Sequence, residues 1–110
     1  MSKLEGDGRL LRIFVAESDQ WQGTPLYHAI VRRARELGLA GATVLRGIEG
    51  FGAGSHIHTA RILRLSEDLP LVIEIVDTEA NIARLLPTLD EMVTEGLVTL
   101  ERVQIITYRP

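Results

Sequence analysis

Apolar and polar positions along the chain fall into blocks whose period switches between that of a strand and that of a helix. Leu10-Leu11-Arg12-Ile13-Phe14-Val15-Ala16 is short, β-rich and bounded by polar Glu17-Ser18-Asp19, which predicts a strand. Thr24-Pro25 then supplies a capping residue and a Pro at the first helical position. Leu26, Ala29, Ile30, Ala34 and Leu37 recur at helical spacing until Gly38, which predicts a first helix. Ala42 to Ile48 reads as a second strand and Leu71 to Val76 as a third, with Pro70 at its entry, where a missing N–H does least harm. Asp77-Thr78-Glu79 opens a second helix with Ile82, Leu85, Leu86, Leu89 and Met92-Val93 on its buried stripe and Gly96 as its stop. Pro87 lies inside that stripe and predicts a kink or a break into two short helices, because it lacks an N–H and crowds the preceding turn. Val98 to Tyr108 reads as the last strand, and residues 1–8, rich in Gly and charge, as a flexible arm.

The order is β-α-β, a long connection, then β-α-β. That is the α+β ferredoxin-like split βαβ sandwich, a single domain over 1–110 with an antiparallel four-stranded sheet and two helices on one face. The strands themselves carry a further expectation. Ile13 to Ala16 and Leu71 to Val76 are apolar on both parities except at Glu74, whereas a sheet with one wet face alternates. Two helices cover one face only, so the other should be covered by further copies of the chain, in a homo-oligomer built from sheet faces.

Composition narrows the function classes. The 110 residues suit one domain, and 45% hydrophobic with 25% charged residues is ordinary for a globular chain. A net charge of -3 provides no basic field for nucleic acid or an anionic membrane. The absence of Cys removes disulfides, thiolate metal sites and cysteine nucleophiles, and fits a reducing compartment. The polar start, Met1-Ser2-Lys3-Leu4-Glu5, is unlike a signal peptide, and no uncharged apolar run approaches the roughly 20 residues of a membrane span, so a cytoplasmic protein without membrane insertion is expected.

The candidate chemistry gathers in residues 49–68, a connection long enough to expect function. It starts with Gly47, Gly50, Gly52 and Gly54, which would let the backbone take positive φ and bring bare N–H groups to an anion, with Phe51 and Ser55 among them. No helical pattern follows as in a dinucleotide fingerprint, and the Lys-Ser/Thr pair of a P-loop is missing. In an extended chain, His56 and His58 share one side, where two imidazoles could chelate a metal or, protonated, donate to phosphate. Exposed loop histidines bonded to water are the plainer alternative. Arg46, Arg61, Arg64 and Arg109 carry forked donors suited to phosphate, although surface arginines are commonly just solvated. His28 reads as structural or solvent-facing, and Trp21 as a subunit contact. Glu74 reads as an inward carboxylate or one facing a partner's arginine, and Glu17 with Asp19 as a carboxylate pair. No nucleophile or base stands at a recognisable spacing from either, so hydrolysis is not supported.

At these residues the chain resembles a known group. Thr24-Pro25-Leu26-Tyr27-His28-Ala29-Ile30, then Gly41 to Ile48 with Gly50-Phe51-Gly52, Ile57-His58-Thr59-Ala60 and Leu65-Ser66-Glu67-Asp68-Leu69-Pro70 are similar to the short uncharacterised bacterial branch of the PII-like superfamily, over essentially the whole length. The resemblance implies a ferredoxin-like subunit in a homotrimer with its sheets inward. It also implies that the long connection acts as a signalling loop and that adenine nucleotides (ATP, ADP or AMP) bind between subunits. Gly50 and Gly52 match the base of that loop and carry over as backbone approaching phosphate. The Gln and Lys that follow Gly-Phe-Gly in PII are replaced here by Ala53-Gly54-Ser55-His56, the loop has no Tyr, and Thr94-Glu95-Gly96-Leu97 stands where PII has Gly-Asp-Gly-Lys. The cationic pair near the end of PII is reduced to Arg102 and Arg109. PII-type sensing of ATP with 2-oxoglutarate therefore does not carry over residue by residue, whereas a different nucleotide or anion in the same cleft stays compatible with the resemblance.

The leading expectation is a non-enzymatic regulator. Its homotrimer binds a small anionic ligand at subunit interfaces, through Arg46, Gly50, Phe51, Gly52, Gly54, Ser55, His56, His58 and Arg109. The ligand controls an unidentified target, a membrane transporter or an enzyme, through the loop. A metal-binding or cation-responsive trimer using His56 and His58 is the alternative, and a small enzyme of the dimeric α+β barrel type is the third.

Overall fold

The computed structural model describes residues 4–52 and 68–110. Strand β1 (Gly6–Ala16) is followed by the two-residue strands β2 (Gln20–Trp21) and β3 (Thr24–Pro25), then helix α1 (Leu26–Glu36) and β4 (Thr43–Arg46). After the long connection come β5 (Pro70–Asp77), α2 (Glu79–Met92) and β6 (Leu97–Ile105). The main sheet is antiparallel in the order β4-β5-β1-β6, the expected split βαβ arrangement. Alternation decides which residues enter the core. Leu11, Ile13 and Val15 of β1 and Leu71, Ile73 and Ile75 of β5 face the helices and pack with Leu26, Ile30 and Ala34 of α1 and Ile82, Leu85 and Leu89 of α2.

The opposite face has no helix. Leu45, Val72, Phe14 and Leu97 stand side by side across all four strands, and Leu45 and Leu97 are exposed. The next row is polar: Thr43, Glu74, Arg12 and Thr99. Arg12 donates from Nε to Glu74 at 3.0 Å and from Nη1 to Glu101 at 3.2 Å, so the carboxylate read as facing a partner's arginine is paired within its own chain. The Glu74 hydrogen bond is the main reason the Arg12 guanidinium titrates above its ordinary value.

Several boundaries differ from the sequence expectation. Residues 6–8 of the expected arm belong to the sheet. β1 begins at Gly6, whose partner is Ile105, and Leu4 is buried. The Ile105 side chain packs over Gly8, where a Cβ would lie 2.5 Å from its Cδ1, so a larger residue would require Ile105 to shift. Thr24 does not cap α1, since Thr24-Pro25 pairs with Gln20-Trp21 in a hairpin, and the Leu26 N–H donates to the Asp19 carbonyl at 2.8 Å. Gln22 and Gly23 turn that hairpin with positive φ, and Trp21 packs against its own chain's core. Pro87 does not break α2, which runs unbroken to Met92. Pro87 and Ala83, whose carbonyl loses its partner, both lie on the exposed side, where water can solvate that carbonyl. The last strand ends at Ile105 rather than Tyr108.

At the end of β5, Asp77 is 1% exposed and is held by three donors. Oδ2 accepts from the Ala40 N–H at 2.8 Å, and Oδ1 from the Thr78 N–H at 2.7 Å and Asn81 Nδ2 at 2.9 Å. It thereby ties the α1–β4 turn to the start of α2, where Thr78 caps the helix through the Asn81 N–H. Among the described residues, no helix is long and apolar enough to cross a membrane.

Candidate functional site

The long connection leaves β4 and returns to β5 at one end of the sheet, beside the end of β1. Two backbone bonds close its base: Gly47 N–H to the Pro70 carbonyl at 2.7 Å and Glu17 N–H to the Leu69 carbonyl at 2.9 Å. Gly47 and Gly50 pack against Pro70, where a Cβ would lie 2.9 Å and 3.1 Å from its Cγ. Among the described residues only Gly6, Gly23, Gly38 and Gly96 are glycines with positive φ. The expectation of positive φ therefore fails at Gly47, Gly50 and Gly52. At Gly47 a Cβ would force the Pro70 ring to shift, and at Gly50 it would make a tight contact with the same ring.

Five polar side chains gather at this base. Ser18 donates its hydroxyl to Asp68 Oδ1 at 2.6 Å and its N–H to the same oxygen at 3.3 Å, so the turn that follows β1 holds the returning chain through both donors of one serine. Glu17 and Asp19 do not form a carboxylate pair. Asp19 accepts from the Ala16 N–H at 3.0 Å, while Glu17 Oε2 accepts from Arg46 Nη2. Arg46 lies opposite Leu71 in the register and thus on the helix-bearing side, and its side chain reaches over β5 from one flanking strand to the other. The Glu17 side chain is 19% exposed and that of Arg46 57%. Glu17 Oε1 is buried and has no hydrogen-bond partner among the described residues. Beyond the pair, Ile48 and Phe51 follow Arg46 along the chain and are 91% and 77% exposed.

Of the residues read as ligand-binding, Arg46, Gly50, Phe51 and Gly52 lie at this base. Gly54, Ser55, His56 and His58, with Arg61 and Arg64, lie outside the described residues. Arg109 follows β6, whose Ile105 pairs with Gly6, and so lies at the other end of the sheet from Arg46 within one chain. There Gly6, Asp7, Arg102, Val103 and Gln104 line a shallow open groove of about 420 Å³. His28 is exposed on α1, as expected. Among the described residues no group of three His, Asp or Glu side chains is placed to hold a metal. The feature that sequence reasoning missed is the Glu17–Arg46 pair. Its members are 29 residues apart, and only the order β4-β5-β1 brings them together.

Known proteins share both the sequence and the fold. Residues 8–105 match the DUF190 family, described as an uncharacterized ACR. A UPF0166 protein of Aquifex aeolicus is 42% identical over 98 residues, covering 89% of this chain and 92% of its own. Among solved structures, a putative PII-like signaling protein from Thermus thermophilus matches with a TM-score of 0.63 and 22% identity over 92% of this chain and 90% of its own. CPII from Thiomonas intermedia, solved with ADP, AMP and acetate, matches with a TM-score of 0.64 and 18% identity over 94% and 92%. The chain belongs to the DUF190 family, and its fold is that of the PII-like signalling proteins.

Proposed function

We propose that this protein is a non-enzymatic, cytoplasmic PII-like regulator whose homotrimer binds an adenine nucleotide between subunits and controls a target protein through residues 49–68. The observation that carries this is the fold shared with CPII, a protein solved with ADP and AMP. Two features of this chain support it. The helix-free sheet face, with Phe14, Val72, Leu45 and Leu97 in one row, is an apolar surface suited to a second and third copy. The arginines expected at the ligand, Arg46 and Arg109, stand at opposite ends of one sheet, so a cleft that uses both takes one from each of two neighbouring copies.

Ligand binding at such a cleft selects the loop state it contacts, which is how a small anion alters the grip on a partner. Thermal denaturation and calorimetry with ATP, ADP, AMP and cyclic nucleotides test this directly. Ligand at 100 times its dissociation constant adds about 2.7 kcal/mol to stability, so a nucleotide that binds shifts the melting temperature clearly. Light scattering of the wild type should give three times the chain mass, and Phe14→Asp should reduce it. Monomeric wild-type protein, or silence with every nucleotide, contradicts the proposal.

A further inference from the structure

We propose that Glu17 is a built-in competitor of the ligand for Arg46, and that its negative charge sets how strongly an anion must bind before it takes the guanidinium over. This inference rests on the ligand site proposed above and deepens it by naming the residue that tunes it. Three observations carry it. First, Arg46 is the cation at the base of the long connection that is aimed across β5, and Glu17 already occupies it, so the anion site is filled from within the chain. Second, the engagement is incomplete on both sides. Among the described residues the guanidinium gives Glu17 only Nη2, where its fork can give two parallel donors to a phosphate or carboxylate. Glu17 leaves Oε1 buried without a partner among the described residues, a desolvation cost that a purely structural ion pair would avoid. Third, the pair is joined to the loop. The Glu17 N–H holds Leu69, and Gly47, next to Arg46, holds Pro70, so Glu17 and the immediate neighbour of Arg46 clamp the chain where it re-enters the sheet.

The surroundings sharpen the competition. Asp19, Glu49 and Asp68 add negative charge to the same end of the sheet, which raises the cost to any anion of displacing Glu17, so contacts to the fork have to offset it. A phosphate-bearing ligand can offer both oxygens to the fork and accept N–H groups as well, which a single carboxylate bond cannot match. The apparent affinity is then the intrinsic affinity multiplied by the fraction of chains in which Arg46 is free of Glu17. Removing the charge at residue 17 raises that fraction without touching the ligand contacts.

The test is isothermal calorimetry of ADP and of inorganic pyrophosphate against the wild type, Glu17→Gln, Arg46→Gln and the double variant, each with its melting temperature measured. The proposal predicts that Glu17→Gln binds about threefold or more tightly, that Arg46→Gln binds much more weakly, and that the double variant behaves as Arg46→Gln alone, since the two residues act on one contact. ADP binding that is unchanged or weakened in a folded Glu17→Gln protein overturns the proposal and leaves the nucleotide function standing. Pyrophosphate binding strengthened by Glu17→Gln, with no ADP binding in any form, supports the competitor role and overturns the choice of nucleotide. No binding of either anion to the wild type or to Glu17→Gln overturns both.

Discussion

Two carboxylates stand at opposite ends of the same sheet, and their surroundings differ in kind. Asp77 is almost wholly buried, both of its oxygens are engaged, and its three donors come from the α1–β4 turn and the start of α2. Glu17 is partly exposed, has one bond from an exposed arginine, and leaves one oxygen without a partner among the described residues. The first arrangement is what a buried polar group needs in order to be stable, and it holds the helix layer to the sheet. The second is poor as a structural device and sits where the long connection leaves and returns. The end of the sheet with satisfied polar groups serves the fold, and the end with an unsatisfied one is where the proposed ligand would act.

Substitutions at the two ends should therefore separate stability from binding. Asp77→Ala has the largest expected effect on the fold. It strands the N–H groups of Ala40 and Thr78 and the Asn81 amide, which should cost about 3 kcal/mol and lower the melting temperature by roughly 10 to 20 °C. A fall of only a few degrees would mean that the closed end is not closed. Gly47→Ala should cost about 1 kcal/mol, because its Cβ would press on the Pro70 ring at 2.9 Å and the end of the sheet must yield. Urea denaturation resolves a change of that size. Glu17→Gln should change stability least, by less than about 1 kcal/mol in either direction, since the exposed partner makes the pair weak and the orphan oxygen offsets part of it. A loss at Glu17 as large as that at Asp77 would erase the distinction between the ends.

The layered fold was legible from periodicity because its signals are local. Leu26 to Leu37 and Ile82 to Val93 repeat at helical spacing, and the apolar runs of β1 and β5 are interrupted by turn residues at their ends. What escaped was set by contacts distant in sequence or by elements too short to show a period. Gly6 to Arg9 looks like a tail until β6 pairs with it, and the β2–β3 hairpin has two residues per strand. Asp77 reads as a helix opener, and nothing local shows that Ala40 will donate to it. Likewise Glu17 invites pairing with Asp19, two residues away, while its true partner is Arg46 across β5. The glycines and Arg46 mark the base of the long connection in the sequence, but the charge pairing there depends on strand order, and the histidines at 56 and 58 lie outside the described residues.

The account stands most directly on whether an adenine nucleotide binds at Arg46. Titrating ADP into the wild type and into Arg46→Ala should give saturable binding in the first and at least a tenfold loss in the second, the size expected for removing a charge-assisted contact to phosphate. Equal affinity in the two proteins, or no binding to the wild type, would contradict it.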